Sequence, residues 1–487
     1  MAQIICLDKN YSTTQLLTQK KPILKQRPGD KLETRLFLED NRERKGEGGL
    51  RTKGYFKKSY DDKPLVSIIT VVFNGEKYLE QTIQSVINQT YDNVEYIIID
   101  GGSTDRTADI IKKYGAQIDY WICEQDRGIY DAWNKGLSLA TGDIIGFCNA
   151  DDFYEKTTLV KIVAEFKENT FQITYGNTQF IENESCVGMN RGDFKKDIIY
   201  RGFGFMHTTV FSTKLVYHTI GKFDIAYHIA GDTDWLLRAF KGDVQFTKCD
   251  NLTYMRTGGV SQEYDKDAFR EFTKSLEMHG FNRKKILLAK LRTSIFYFIR
   301  DLIGFKNIMF IRFQIINIII YMFNLIYNYL PFFKIKQIFL RRFNMKLGKN
   351  SFIHTPVKFF TIGKLNIGEN TAISPNCYLD NRGSITIGNN VSISHCTKIY
   401  TAGHQINNPC FSFFSKPVNI EDNVVIFTNV LIMPGVTVHK NAVLLPGSVV
   451  TKDVKENCVV GGNPAKVVQM RNIELNYKID HGLWFVT

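Results

Sequence analysis

Residues 64–154 open with PLVSIITVVFNGEKYL, pass through YIIIDGGSTDRT and DRGIYDAWNKGL, and close on GDIIGFCNADDFY. Segments 66–73 and 94–99 are short β-branched runs, uncharged except at Glu95, as strands of a parallel sheet covered on both faces require. Between them, Leu79, Ile83, Val86 and Ile87 fall on one face of a helix predicted over 79–88. The spacing predicts a βαβ unit, and ligands bind where the strands of such units end. Asn74 and Asp100 stand at two strand ends, and a third strand over 143–148 delivers Asn149, Ala150, Asp151 and Asp152. Oxygen donors gathered there suit a metal-bound diphosphate.

The ordered set VVFN, DGGSTD, DRGIYDAWNKG, NADD, GDTDWLLR and GGVS, running to about Ser261, resembles the family 2 glycosyltransferases of inverting GT-A type. The resemblance is to the branch that assembles bacterial polysaccharide. It implies an α/β GT-A domain over 64–281 that takes a nucleotide sugar. In that family an acidic residue at the position of Asp100 contacts the base or ribose; an Asx turn in DGGST accounts for the same residue. The family's D-x-D metal motif falls on Asn149, Ala150 and Asp151. Asp151 is therefore the expected ligand of Mg2+ or Mn2+, with an amide where the family has its first carboxylate. Asn74, Asp100, Asp126, Lys135, Asp151 and Asp152 are the expected nucleotide-sugar contacts. Asp126 and Lys135 share a polar helix opening with Asp131 and Asn134, which a solvated helix face explains nearly as well. Inversion in one step needs a base for the attacking hydroxyl, and by position in GDTDWLLR that base is Asp232, with Asp234 one register slip away. An acidic helix start accounts for either residue. His207 in FGFMHTTVFS is a candidate contact to acceptor or phosphate.

A chain of 487 residues leads to two or three domains, each able to bury a core. Nine cysteines, an odd number without a CxxC pair, read as reduced thiols, and MAQIICLDKNYSTTQ lacks a basic start followed by a long apolar run. The cytoplasm is the expected compartment. Residues 1–63 are basic around GEGGL and read either as an extension lying on the first domain or as a partly ordered tail. Much of the net charge of +13 gathers in 282–345, a basic, helical linker where Asp301 is the one acid. Residues 313–333 carry no charge, a length close to a membrane span. Gln314, Asn317, Tyr321, Asn324 and Asn328 nevertheless form one polar stripe, so three readings stay open: a span, a helix in the plane of an anionic membrane, or a helix packed on protein. Nucleic acid is not an expected partner, because the basic residues alternate with bulky aliphatics.

Beyond Lys346 the sequence is periodic. Ile420, Ile426, Ile432, Val438, Leu444 and Val450 are six apart, with Val424, Val430, Val436, Ala442, Ser448 and Val454 at the fifth position of each hexad. An earlier register runs through Ile367, Ile373, Leu379 and Ile385, then Ile387, Ile393 and Ile399 after a two-residue slip. Hexads of this kind predict a parallel β-helix over 346–487. The repeat, IYTAGH ending at His404, the interrupting loop over 405–417 and GGNPAKVV resemble the hexapeptide-repeat sugar O-acetyltransferases. That resemblance implies a left-handed β-helix, acetyl-CoA as donor and a homotrimer. It also implies His404 as general base, the Thr428 backbone as oxyanion donor, and Gly462, Asn463, Pro464 and Ala465 along the pantetheine arm. Val425, Ile426 and Phe427 stand where many relatives have Trp-Ile-Gly, and His395 reads as a coil-surface residue. The two resemblances together imply a bifunctional enzyme at the inner face of the cell membrane. Its expected acceptor is a polyprenyl-diphosphate-linked glycan of a bacterial surface polysaccharide; a β-helix serving only as a trimerisation scaffold, or acetylating a free small molecule, is the alternative.

Overall fold

The computed structural model describes residues 4–24, 26–166, 170–259, 264–406, 411, 413–472 and 478–479, without the side chains of 197–198 and 305–309. Val260 and Ser261 of GGVS and part of the 405–417 loop therefore lie outside the described residues. The chain divides into two compact units, Met1–Phe296 and Tyr297–Thr487.

The first unit is built on one ten-stranded sheet. Its elements are β1 (Gly46–Gly48), β2 (Val66–Val72), α1 (Leu79–Ile87), β3 (Val94–Asp100), α2 (Thr107–Lys113), β4 (Tyr120–Cys123), α3 (Ile129–Leu139), β5 (Ile144–Phe147) and β6 (Phe153–Tyr154). There follow α4 (Thr158–Glu165), β7 (Gln172–Glu182), β8 (Ser185–Asn190), β9 (Phe211–Thr213), α5 (Lys214–Ile220), α6 (Gly231–Lys241), β10 (Gln245–Arg256) and α7 (Asp265–Met278). The order is β1-β4-β3-β2-β5-β9-β7-β10-β6, with β8 on β7. Strands β4, β3, β2 and β5 are mutually parallel, and every residue of β2 and β3 is buried. Those strands are buried throughout and mostly apolar because helices cover both faces. β2, β3 and β5 all run towards the same edge, which brings their C-terminal ends, and the polar residues after them, to one side of the sheet.

Residues 1–63 are part of this unit. Leu17, Leu32 and Leu50 are fully buried, and Arg51, also buried, forms an ion pair with Glu95 in the middle of the sheet. Glu95 further accepts from Ser67 Oγ and from the Thr141 amide and hydroxyl. The one charge in an otherwise apolar strand is therefore fully bonded, as burial of a carboxylate demands. Seven cysteines are free thiols, whereas Cys186 is disulfide-bonded, which departs from the reading of all nine as reduced.

The second unit is a parallel β-helix of three sheets, to each of which successive coils add one strand. One sheet stacks Ile353, Ile373, Ile393, Ile426 and Leu444; another stacks Leu379, Ile399, Ile432 and Val450, all buried. The early coils repeat every twenty residues (Ile373 pairs with Ile393) and the later ones every eighteen (Ile426 pairs with Leu444), which is the physical origin of the slip in the hexads. Corners take positive φ at Asn370, Asn390, Asn423, Asn441 and Asn457, residues that tolerate the left-handed region. Asn390, Asn423, Asn441 and Asn457 then bond side chain to side chain along the stack.

Between sheet and β-helix run three helices: α8 (Arg283–Ile303), α9 (Phe305–Tyr329) and α10 (Phe333–Arg342). α9 and α10 close the open edge of the first coil. The Asn324 amide both donates to Phe359 O and accepts from Phe359 N, at 2.9 and 2.8 Å. Asn328 does the same for Val357, both at 3.0 Å. Two of the five residues of the polar stripe read in the sequence are thus occupied with satisfying a strand edge that would otherwise be bare.

Candidate active sites

In the first unit the strand ends converge as the βαβ reading requires. β3 ends on Asp100, which is fully buried; one carboxylate oxygen accepts from the Ser103 amide and hydroxyl, and Oδ2 has no hydrogen-bond partner. Asn74, with φ 52°, donates from its amide to Ser103 Oγ at 2.8 Å and accepts at Oδ1 from the Thr104 amide at 2.9 Å. The ends of β2 and β3 are thereby tied through one serine. Asp126 lies against Gly101, where any Cβ would collide with its carboxylate, so Asp100 and Asp126 share one ledge. Burial raises the Asp126 pKa, with the charges of Asp131 and Asp100 adding to that and the Gly128 amide and Lys135 opposing it.

Lys135 is brought beside this ledge but has partners of its own. Its Nζ lies 2.8 Å from Glu124 Oε1 and donates to Gln125 O at 3.0 Å. Arg44 of the N-terminal segment reaches the same Glu124, and Lys45 donates to Gly102 O at 2.8 Å. Residues 1–63 thus brace the loop after β3, a role the sequence did not reveal.

The NADD turn separates its two carboxylates. Asp152 points inward: its oxygens accept from the Arg256 amide at 3.2 Å and Asn149 Nδ2 at 3.3 Å, and burial pushes its carboxyl well up. Placed so, it does not face a ligand. Asp151 is only partly exposed, its pKa is raised by burial, and no other described side chain bonds its carboxylate. Asn149 Oδ1 is buried without a partner. A carboxylate and an orphaned amide oxygen three residues into one turn fit a hard divalent cation that draws its remaining ligands from diphosphate and water. Among the described residues there is no cluster of three or more His, Cys, Asp or Glu.

Arg256, absent from the sequence reading, organises this turn. At the end of β10 it is buried, donates from its guanidinium to Asp151 O at 2.6 Å and to Gln81 Oε1, and lies 4.0 Å over the Tyr78 ring. No local signal marks it, since its contacts are about a hundred residues away in the chain.

The acceptor side separates its own pair. Asp234 is buried and fully bonded: Ser275 Oγ at 2.7 Å, His279 Nε2 at 2.9 Å and Arg238 Nε at 2.9 Å. Despite burial, these partners hold its pKa below the usual value. Asp232 stays partly exposed in the first turn of α6 with no ion pair among the described residues; Thr233 N donates to Oδ1 at 2.7 Å, and the Tyr130 hydroxyl lies at 3.5 Å. The turn before it is pinned by Glu271, whose carboxylate accepts from the amides of His228, Ile229 and Ala230 at 2.8–3.0 Å. His207 stacks on Trp133 with centroids 4.5 Å apart, and neither ring nitrogen has a partner. Burial lowers its pKa, so the ring is neutral at neutral pH.

In the β-helix, His404 ends the strand Ala402–His404 on the coil surface. Its ring stacks on Phe411 at 4.7 Å and meets Phe413 edge-on at 5.6 Å. Two residues beyond the paired Ile373, Ile393, Ile426 and Leu444 stack Pro375, His395, Thr428 and Pro446. Thr428 therefore occupies a corner where other coils place an imide without N–H, and its own amide donates to no described residue. Its hydroxyl donates to His395 O at 2.9 Å, and His395 is exposed on the coil surface. The turn 462–465 is clipped to the last coils by Val449, whose amide donates to Gly462 O at 3.0 Å and whose carbonyl accepts from Ala465 N at 2.9 Å. Asn463 and Pro464 are exposed on that turn. His404 touches neither Thr428 nor this turn among the described residues.

Comparison with known proteins bears on both units. The model of the family described as Glycosyl transferase family 2 matches residues 67–219. A PGL/p-HBAD biosynthesis glycosyltransferase of Mycobacterium bovis (strain BCG / Pasteur 1173P2) is 30% identical over 223 residues, which are 44% of this chain and 85% of that protein. A hexapeptide-repeat-containing acetyltransferase of Vibrio cholerae O1 biovar eltor, solved with acetyl coenzyme A, is 30% identical and covers 32% of this chain and 86% of its own, with a TM-score of 0.30. The S. aureus TarS fragment solved with UDP is 18% identical and covers 44% of this chain and 65% of its own, with a TM-score of 0.34. The match to the family model and the extent of the mycobacterial relative agree with the strand-end site described above: the chain belongs to glycosyl transferase family 2.

Proposed function

We propose that the chain is a bifunctional enzyme of bacterial surface-polysaccharide synthesis, such as capsule or O-antigen. Residues 64–281 move a sugar, with inversion, from a nucleotide sugar to a glycan carried on polyprenyl diphosphate. Residues 346–487 move an acetyl group from acetyl-CoA to a hydroxyl of that glycan. The observation that carries this reading is the division of labour at α6: Asp234 is fully engaged, while Asp232 faces out, free of ion pairs, beside an aromatic wall.

Asp232 takes the proton of the acceptor hydroxyl as that oxygen bonds the anomeric carbon and the nucleoside diphosphate departs from the opposite face. Asp100 and Asp126 offer acceptors to the nucleoside, and Asn74 holds their loop. Mg2+ or Mn2+, held by Asp151 and Asn149, supplies charge neutralisation on the leaving diphosphate when bound. Lys135 acts through the ledge it lies beside, and Asp152 through the NADD turn that it ties to Arg256 and Asn149. In the second reaction His404 takes a proton from a sugar hydroxyl as the oxygen attacks the thioester. The unpartnered Thr428 amide receives the oxyanion, coenzyme A thiolate leaves, and the 462–465 turn borders the pantetheine arm. The resemblance to trimeric acetyltransferases supports a homotrimer, and the basic helices support a peripheral position at the cytoplasmic face of the membrane.

The test is mass spectrometry of lipid-linked glycan after incubating the protein with membranes, Mg2+ or Mn2+, acetyl-CoA and a panel of nucleotide sugars. A sugar gained with one donor, followed by an acetyl group that His404→Ala loses, is the expected result. Sugar gain without acetylation leaves the β-helix as scaffold or as enzyme for another acceptor, and no gain with any donor overturns the first reaction.

A further inference from the structure

The two helices that close the β-helix leave a second, outward surface. α9 spends Phe323, Asn324, Tyr327 and Asn328 on the first coil. On its opposite face Ile311, Ile315, Ile318, Met322, Ile326 and Tyr329 recur at helical spacing, and all are exposed. α10 continues this surface with exposed Ile335 and Ile338, and a groove of about 580 Å³ opens among Leu330, Ile335, Ile338, Phe339, Arg341 and Arg342. Among the described residues of the unit, nothing covers it.

Charge decides what does. From Phe305 to Arg342 there is no Asp or Glu, while Arg312, Lys334, Arg341 and Arg342 lie exposed around the aliphatic stripe. An aliphatic face rimmed by cations alone is complementary to acyl chains beneath anionic headgroups. Four exposed cations without an acid make the same face self-repelling towards a second copy of itself.

The mode of contact follows from the capping bonds. Phe310–Tyr329 is long and apolar enough to cross a bilayer, with mean hydropathy 1.6. Its last two turns, however, are fixed to the coil by four amide hydrogen bonds and by buried Phe323 and Tyr327. The free part that carries no charge, 313–322 beyond Arg312, is about 15 Å long, short of the roughly 30 Å hydrocarbon core. The first-coil bonds point away from the second coil, so the stripe looks out from the end of the β-helix.

We infer that α9 and α10 form a monotopic docking face for an anionic bilayer: α9 lies in the membrane plane without crossing it, and the coils of the β-helix rise from that face. This deepens the peripheral location proposed above and rests on it. The candidate catalytic residues His404 and Thr428 then stand coils away from the lipid surface.

The experiment uses the full chain with vesicles of phosphatidylcholine alone or with about one third phosphatidylglycerol. Binding is expected to the anionic vesicles, reversed by 0.5 M salt only in part, and released by alkaline carbonate (amounts set by the two-term scale of apolar burial and headgroup attraction, about tenfold weaker without either). Ile318→Glu with Met322→Glu is expected to lower binding at least about tenfold with the melting temperature unchanged. Equal binding to both vesicle types removes the charge argument. Resistance to carbonate makes α9 a span and overturns the in-plane placement. A variant that leaves vesicle binding alone but lowers the mass in light scattering assigns the stripe to a second copy instead. Sugar transfer to a water-soluble acceptor, measured in parallel, reports separately on the proposed reaction.

Discussion

Asp232 and Asp234 are separated by one residue and by opposite surroundings. Asp232→Asn is expected to lower sugar transfer by about 10²–10⁴-fold, the range for loss of a general base, at an unchanged melting temperature. Asp234→Asn removes the charge that Arg238, Ser275 and His279 all bond, and is expected to cost about 2–3 kcal/mol of stability, read by denaturant titration. Exchange of those two phenotypes would reverse the assignment of the base. Lys336 gives a second residue-scale prediction. It is buried beside Tyr327, donates to Thr355 Oγ1 at 3.2 Å, and burial lowers its pKa to about 8. A lowered lysine pKa means that the native state binds fewer protons than the unfolded chain between about 8 and 10.5, so stability rises with pH across that window. Lys336→Met is accordingly expected to raise the melting temperature at pH 7, and to lose that advantage by pH 10.

At the scale of elements, each unit has one fastening device within it, and each device has a direct test. The N-terminal segment is docked by Arg51 on Glu95. Arg51→Met leaves a buried carboxylate uncompensated, an expected loss of about 3–5 kcal/mol, seen as a lower midpoint in urea. The β-helix is closed by Asn324 and Asn328. Replacing both with Leu leaves four backbone groups of the first coil without partners, at about 1–3 kcal/mol each if they stay buried, and hydrogen exchange at Val357 and Phe359 is expected to accelerate. Neither device is written in local sequence. Arg51 is one of several basic residues around GEGGL, and the amides of α9 read equally as a polar stripe for water, headgroups or protein.

At the scale of the molecule, joining the two reactions in one chain raises the effective concentration of the second site for the product of the first. A mixture of full-length Asp232→Asn and His404→Ala is then expected to make acetylated product more slowly than the native chain at low acceptor, and equally fast at saturating acceptor. Equal rates at both concentrations, followed by mass spectrometry, would remove the coupling.

The sequence by itself determined the two architectures, because both are written in short-range periodicity. Parallel strands covered on both faces must be mostly apolar, as Val66–Val72 and Val94–Asp100 are, and a coil of three hexads must place an aliphatic side chain inside every sixth residue, as Ile420 to Val450 do. It also placed Asp100 at the end of a strand, Asp151 after one and Asp232 at the start of a helix, since each lies beside a strand or helix run. What the tertiary structure alone decided is the environment of each polar group: Asp152 inward and Asp151 outward, Asp234 bonded and Asp232 free, Arg256 under the NADD turn, and the stripe of α9 against the first coil. Those outcomes depend on partners about forty to a hundred residues away or on an edge two helices later, and the free energy of a buried charge or amide is set by what meets it in space rather than by its neighbours in the chain.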